Sequence, residues 1–169
     1  MNETGRTREM AAGGSNFIIE NEVFQLYIAH ACINILKMIF VAYYTVFKRF
    51  ANMTFSTKED YEGFAATMEK DDVKKKLAEC DPEVERVRSC HRNDLENIPA
   101  FLVVGLLYAL TNPGVDAVSL HFRVFTLCRI IHTVSYLLPL PQPSRFLGFS
   151  VGTLSMVSMA IQTLLMGKL

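Results

Sequence analysis

The chain has no excess of either charge. Seventeen lysines and arginines stand against 17 aspartates and glutamates, and the isoelectric point is near 6.9. A nucleic-acid binder needs a basic face, so that class is excluded. Paired cysteine spacing is also missing. Cys32, Cys80, Cys90 and Cys128 contain no CxxC, which indicates neither a zinc site nor a disulfide framework, and no metal is expected. The first twenty residues are polar and lack the apolar run of a cleaved signal peptide. Disorder is excluded by a hydrophobic content of 50%. The last scarcity is local. One charge, Lys37, lies between Val23 and Phe47, and five (Asp116, Arg123, Arg129, Arg145, Lys168) lie beyond Asn97. The stretch from Lys48 to Glu96 holds 22 of the 34 charged residues. A soluble domain spreads charge over its whole surface; this chain does not.

Those uncharged stretches read as membrane helices. Val23–Phe47 is 25 residues, roughly 38 Å of helix, where a bilayer core needs about 20 residues. Its polar members Gln25, His30, Asn34 and Lys37 are expected to face other helices. The next apolar run, Ile98–Thr111, is about 21 Å and too short to cross alone. Its helix must therefore begin upstream, at the start signal Asp81-Pro82-Glu83, with Pro99 inside it as a kink point. Asn112-Pro113-Gly114 marks a turn, Asp116 a cap for the third helix, and Pro139, Pro141 and Pro143 the break before the fourth. The fourth contains Gly148-x-x-x-Gly152 and Ser155, a stripe that permits close helix approach. The reading is an all-α integral membrane protein: a polar tail over 1–22, then one four-helix bundle over 23–169. Its helices are placed at about 23–48, 82–110, 117–138 and 144–167, with a loop over 49–81. Seven lysines and arginines between Lys48 and Lys76, against none in the Thr111–Ser119 turn, place the first and third loops in the cytosol. Asn52-Met53-Thr54 is then cytosolic and unmodified, while the sequon Asn2-Glu3-Thr4 is lumenal.

Three polar clusters converge at the cytosolic depth. Arg88, Arg92 and Glu96 are spaced i, i+4, i+8 on one helical face, with Asn93 beside them. Arg129, His132 and Tyr136 are spaced i, i+3, i+7 on another, and Arg145 opens the fourth helix. Arg49 and Asp60 can reach the same level. Each has a plain structural reading: an Arg92–Glu96 ion pair, a snorkelling Arg145, a core His132, a Lys37 paired to a neighbouring helix. The Lys74–Lys76 run reads as a solvated face or a contact with anionic lipid. Together, though, the groups are costly near a membrane and need a reason. Arginine forks hold carboxylates, and a glutamate and an asparagine receive an amine and peptide groups. That suits a small zwitterionic peptide with two carboxylates, such as glutathione.

Glu85-Arg86-Val87-Arg88-Ser89-Cys90-His91-Arg92-Asn93-Asp94-Leu95-Glu96-Asn97-Ile98 resembles the second-helix signature of the MAPEG superfamily, membrane-associated proteins in eicosanoid and glutathione metabolism. Arg129-x-x-His132-Thr133-x-x-Tyr136-Leu137 resembles its third helix, and Pro139-Leu140-Pro141-Gln142-Pro143-Ser144-Arg145 its last junction. Leu36-Lys37-Met38, Arg49 and Glu59-Asp60 resemble the first helix and loop. The resemblance leans toward the microsomal glutathione transferase 1-like branch, with the prostaglandin E synthases as siblings. It implies a homotrimer in the endoplasmic reticulum or mitochondrial outer membrane, with glutathione as co-substrate bound between subunits and facing the cytosol. The positions it marks for glutathione are Arg49, Arg92, Asn93, Glu96, His132, Tyr136 and Arg145; Arg88 and Arg129, on the same two helical faces, complete the candidate glutathione-binding set. Arg145 matches the thiolate-stabilising residue, and Asp60 the acid that assists in the synthases. Ser89 departs from a family arginine, Pro99-Ala100 inverts the family's order, and Phe146 stands where the synthases have serine.

The implied activity is conjugation of glutathione to hydrophobic electrophiles, with peroxidase activity on lipid hydroperoxides. Two alternatives remain: isomerisation of a prostaglandin endoperoxide, and a non-enzymatic lipid-binding protein of the same fold. Charges confined to one side give a transporter no polar path across the bilayer.

Overall fold

The computed structural model describes residues 20–79 and 81–167. Residues 1–19, Cys80 and the last two residues lie outside it, and with them the polar tail and the Asn2-Glu3-Thr4 sequon. The described residues form six helices: α1 (Glu22–Ala51), α2 (Lys58–Phe64), α3 (Lys70–Ala78), α4 (Pro82–Leu110), α5 (Val115–Leu137) and α6 (Gln142–Met166). The four long helices pack together, α1 against α4 and α5, and α6 against α5 and α4.

Local chemistry sets most of the boundaries. Asn21 caps α1 by accepting from Phe24 N at 3.2 Å. Asp81 caps α4, its Oδ1 accepting from Glu83 N and Val84 N at 2.9 and 3.0 Å, with Pro82 in the first turn where no amide is needed. These amide hydrogen bonds, that of Val84 foremost, hold the Asp81 carboxyl below its usual 3.8. The amide of Asn52 donates to the same carboxylate at 3.0 Å, so this sequon asparagine serves as a tie between the end of α1 and the start of α4.

Several expectations need correction. The segment between α1 and α4 is not a plain loop: it folds into α2 and α3 around Phe55, Tyr61 and Ala65. Asp116 does not cap α5. The helix starts at Val115 behind Gly114, with no side-chain cap, because the Asn112-Pro113-Gly114 turn already delivers the chain in helical direction. Pro143 does not break the chain but lies within α6, which starts at Gln142, since a proline in the first turn forfeits no helical hydrogen bond. Gln25 lies on the exposed surface of α1.

The polarity of the molecule is inverted relative to a water-soluble bundle. Arg129, Asp94 and Asn34 are fully buried, while Leu36, Phe40, Tyr43, Val103, Leu120, Leu154 and Leu165 are exposed. α1 and α6 are long and apolar enough to cross a membrane, and only 17% of each apolar window is buried inside the protein. A soluble core helix would be mostly covered, and a soluble surface rarely exposes so much apolar area. The helices meet through close contacts. A Cβ placed on Gly148 would lie 3.2 Å from the Cys128 carbonyl oxygen, and one on Gly152 would lie 3.3 Å from Cys128 Cβ. Ser155 Oγ donates to the His121 carbonyl at 3.0 Å. The small-residue stripe is therefore the α5–α6 seam. Away from it, Phe101 of α4 stacks on Phe125 of α5 with ring centres 4.1 Å apart.

Candidate active site

Arg129, His132 and Tyr136 line up along α5, as their spacing predicts, and α6 delivers Arg145 to the end of the row. Arg129 Nη1 donates to Asn93 Oδ1 of α4 at 2.9 Å, and Nη2 donates to the Gly148 carbonyl of α6 at 3.2 Å. Its guanidinium lies 5.9 Å from the Phe125 ring. The buried arginine thus clasps three helices and retains one unpartnered donor, Nε. One turn further on, His132 is buried with Nδ1 free of any partner, and its ring sits 4.9 Å from that of Tyr136. The Arg145 guanidinium lies 4.9 Å above the Tyr136 ring, close enough for a cation–π contact, and its Nε is likewise buried without a partner. Buried polar atoms are normally satisfied. Three nitrogens of this row have no partner among the described residues, as do Asn34 Oδ1, His91 Nδ1, Asp94 Oδ2 and Thr153 Oγ1 elsewhere in the bundle.

The second group sits where α1 ends and α4 begins. Arg49 and Arg88 line a cavity of about 260 Å³ together with Lys76, Asp81 and Glu85. Arg88 Nη1 lies 3.5 Å from Glu85. Arg92 does not pair with Glu96: its Nη2 lies 3.4 Å from Ser89 Oγ and 3.8 Å from Glu85. The reason is direction, because both side chains of the Arg92–Glu85 pair lean along the same exposed edge of α4. Arg88, Arg92 and Glu96 form that edge and are all exposed. Asn93, turned inward to Arg129, is half-buried. Asp60 is half-buried on α2, where its backbone amide donates to Thr57 Oγ1 at 3.3 Å. Among the described residues, no hydrogen bond or ion pair joins Arg49, Arg88, Arg92 or Asp60 to the His132–Tyr136–Arg145 row. The candidate side chains therefore fall into two separate groups: an exposed arginine edge on α4, and the His132–Tyr136–Arg145 row on α5 and α6.

Sequence reasoning missed what supports Asn93. Lys37 Nζ of α1 donates to Asp94 Oδ1 at 2.6 Å, to the Arg129 carbonyl at 3.2 Å and to Thr133 Oγ1. Lys37 had been expected to pair with a neighbouring helix. Its partner Asp94 was overlooked, although the only charge in a 25-residue apolar stretch demands a buried counterion. This knot joins α1, α4 and α5 directly behind Asn93 and Arg129. Toward the other end, Tyr108, His121, Ser158 and Gln162 form a second polar network, with Tyr108 Oη donating to Gln162 Oε1 at 3.1 Å. No group of three or more potential metal-binding side chains occurs among the described residues.

Residues 27–165 match the MAPEG family. Proteins named microsomal glutathione S-transferase 1 from Mus musculus and Homo sapiens are 44% and 43% identical over 147 residues, covering 87% of this chain and 92% of each relative. A prostaglandin E synthase from Bos taurus is 33% identical over 147 residues, 86% of this chain and 90% of its own length. The matched segment takes in nearly all of the four long helices, the buried Lys37–Asp94 knot and both groups of candidate side chains, and the chain belongs to the MAPEG family.

Proposed function

We propose that this protein is a membrane-bound glutathione transferase. It conjugates the glutathione thiolate to hydrophobic electrophiles and reduces lipid hydroperoxides with the same thiolate. The observation that carries the reading is the 44% identity to a microsomal glutathione S-transferase 1 over 87% of the chain, joined to a polar row whose buried nitrogens lack partners. All four long helices cross the bilayer in this reading, which the exposed Val103 and Leu107 on α4 and Leu120 and Leu127 on α5 support. α4 contributes Ile98–Leu110 to the bilayer core and its charged first half to the cytosolic rim. The membrane is that of the endoplasmic reticulum or the mitochondrial outer membrane.

The protein works as a homotrimer. The exposed α4 edge of one subunit faces the α5–α6 row of the next, which completes a site that one chain leaves in halves. Arg49, Arg88 and Arg92 hold the two carboxylates of glutathione, while Glu96 takes its amine. Asn93 and His132 meet its peptide groups. Arg129 holds Asn93 and the α6 backbone in place. The thiol lies against Arg145 and Tyr136. A free thiol has a pKa near 8.5, so most of it is protonated at neutral pH; a guanidinium beside the sulfur favours the anion. The thiolate then attacks the electrophilic carbon and displaces its leaving group, with Arg145 stabilising negative charge throughout. With a hydroperoxide the sulfur takes the terminal oxygen, the alcohol departs, and a second glutathione thiol reduces the sulfenic acid to glutathione disulfide and water. Asp60, on the connector, is the candidate proton carrier for the departing group. The hydrophobic co-substrate enters laterally from the lipid.

The test is glutathione-dependent turnover by the purified protein of an aryl halide, a lipid hydroperoxide and a prostaglandin endoperoxide. Conjugation of the aryl halide is expected. Turnover of the endoperoxide alone would establish the synthase reading, which the lower identity of 33% and Phe146 beside Arg145 disfavour. Absence of saturable glutathione binding would leave a lipid-binding protein of the same fold.

A further inference from the structure

The connector between α1 and α4 contains a second cavity that the proposed reaction does not use. α2 presents Lys58, Tyr61, Glu62 and Ala65 on one face, and α3 presents Lys70, Val73, Lys74 and Leu77, each set at the i, i+3, i+4, i+7 spacing of a helical stripe. The two stripes face each other across a groove of about 410 Å³, also lined by Ala66 and Met68. That volume is in the range of small-ligand sites. The floor is apolar, and Tyr61 and Ala65 in it are buried against Phe55. The rim is cationic, with three lysines against the single carboxylate of Glu62. Glu62 pairs with Lys58 at 3.3 Å, and Lys74 with Asp71 at 3.6 Å, both solvent-exposed pairs of the kind that constrain their lysines little. Lys70 has no acidic partner among the described residues.

The groove's position gives it two neighbours. On one side, Phe64 is 61% exposed, and its ring lies 5.1 Å from that of Phe50 in the last turn of α1, so in the membrane reading proposed above the connector lies at the edge of the bilayer. On the other, Leu77 lines both this groove and the cavity that holds Arg49 and Arg88. α3 is thus a shared wall, fixed to the end of α1 by Lys76 Nζ, which donates to the Asn52 and Met53 carbonyls at 2.8 and 2.9 Å. An apolar trough with a lysine rim at the bilayer edge complements one chemical class: a single acyl chain with an anionic head.

We infer that the α2–α3 groove binds a long-chain fatty acid, with the chain along Tyr61, Ala65, Val73 and Leu77 and the carboxylate at Lys70 and Lys74. The site stands independently of the transferase reading, since its primary readout is binding.

The experiment uses the full chain in nanodiscs of zwitterionic lipid, with palmitate carrying a photoreactive diazirine as probe and its methyl ester as the uncharged control. Labelled peptides are mapped by mass spectrometry. Labelling by the acid within residues 58–77, competed by unlabelled palmitate and at least about tenfold weaker with the ester, is expected. Ala66→Trp fills the groove from an exposed position and should abolish that labelling while leaving the melting temperature unchanged. Lys70→Glu/Lys74→Glu should weaken it about tenfold. Equal labelling by acid and ester, labelling confined to the lipid faces of α1 and α6, or labelling indifferent to Ala66→Trp would overturn the inference. So would labelling that disappears when the discs contain anionic phospholipid in place of free palmitate as competitor, because the groove would then be reading the bilayer surface.

Discussion

The Lys37–Asp94 pair offers the sharpest test of how the interior is held together. The Lys37 side chain is only one-tenth exposed and that of Asp94 is fully buried. Lys37→Met keeps the volume and removes the charge. Asp94 then loses its only hydrogen-bond donor, because Oδ2 already has none, and the Arg129 carbonyl and Thr133 hydroxyl each lose the ammonium. Breaking one partner of a buried pair costs about 3–5 kcal/mol. A domain of this size loses about 2–4 °C of melting temperature per kcal/mol, so the drop should be roughly 6–20 °C. The double variant Lys37→Met/Asp94→Leu removes the orphaned charge as well, so it should recover more than about half of that loss, a coupling of about 2 kcal/mol or more. The assay is thermal unfolding of detergent-solubilised protein followed by helical circular dichroism, with wild type, both single variants and the double variant at one detergent concentration. A Lys37→Met melting temperature within about 2 °C of wild type, below the cost of a single unpaired buried charge, would refute the reasoning. Additive losses would refute it too, since they would mean that the two charges do not interact.

Other expectations are as direct. Arg145→Ala removes the cation beside Tyr136, so the bound thiol should titrate up to two units higher, about 2.7 kcal/mol, and aryl halide turnover at neutral pH should fall by about tenfold to a hundredfold; a wild-type rate would remove Arg145 from the chemistry. Gly148→Val drives a side chain into the Cys128 carbonyl oxygen, 3.2 Å from the first added carbon. Overpacking of about 1–3 kcal/mol, together with strain on the Arg129 hydrogen bond to the Gly148 carbonyl, should lower the melting temperature and raise the KM for glutathione. Asp81→Ala removes the α4 cap and should cost about 1 kcal/mol at neutral pH. The Asp81 carboxyl titrates below its ordinary value in the folded protein, so the stability it contributes is fully present above 3.8 and disappears as the pH falls through the lower folded value. The gap in melting temperature between wild type and variant should therefore close on acidification, and a gap that persists at low pH would show the cap to be non-ionic.

What was legible in the sequence is what depends on near neighbours along the chain. The α4 boundaries, Pro82 to Leu110, follow from the Asp81-Pro82 start and the Asn112-Pro113-Gly114 stop. The α5 row follows from helical spacing, and the Gly148–Gly152 stripe from residue size. The α2–α3 fold within the connector was not legible, because its helices are only 7 and 9 residues long and mostly polar, and are held by a small cluster around Phe55, Tyr61 and Ala65. The Arg92–Glu96 expectation failed because i, i+4 spacing permits a pair but does not choose between Glu96 and Glu85.

The sequence by itself determined the chemistry on hand: a neutral chain whose charges are concentrated between Lys48 and Glu96, apolar elsewhere, with arginines, an asparagine and a histidine in register on successive helices. Only the tertiary structure decided which of those groups are spent. Arg129 gives two donors to Asn93 and Gly148 and becomes a clasp, Lys37 is consumed by Asp94, and Arg92 stays on the exposed edge with Glu85. The physical reason is that a buried polar atom must find a partner, and partners on other helices are 19 to 57 residues away in these pairs, beyond the reach of any local pattern. His132 Nδ1 and Arg145 Nε are left without a partner among the described residues, and it is to them that the proposed function assigns glutathione.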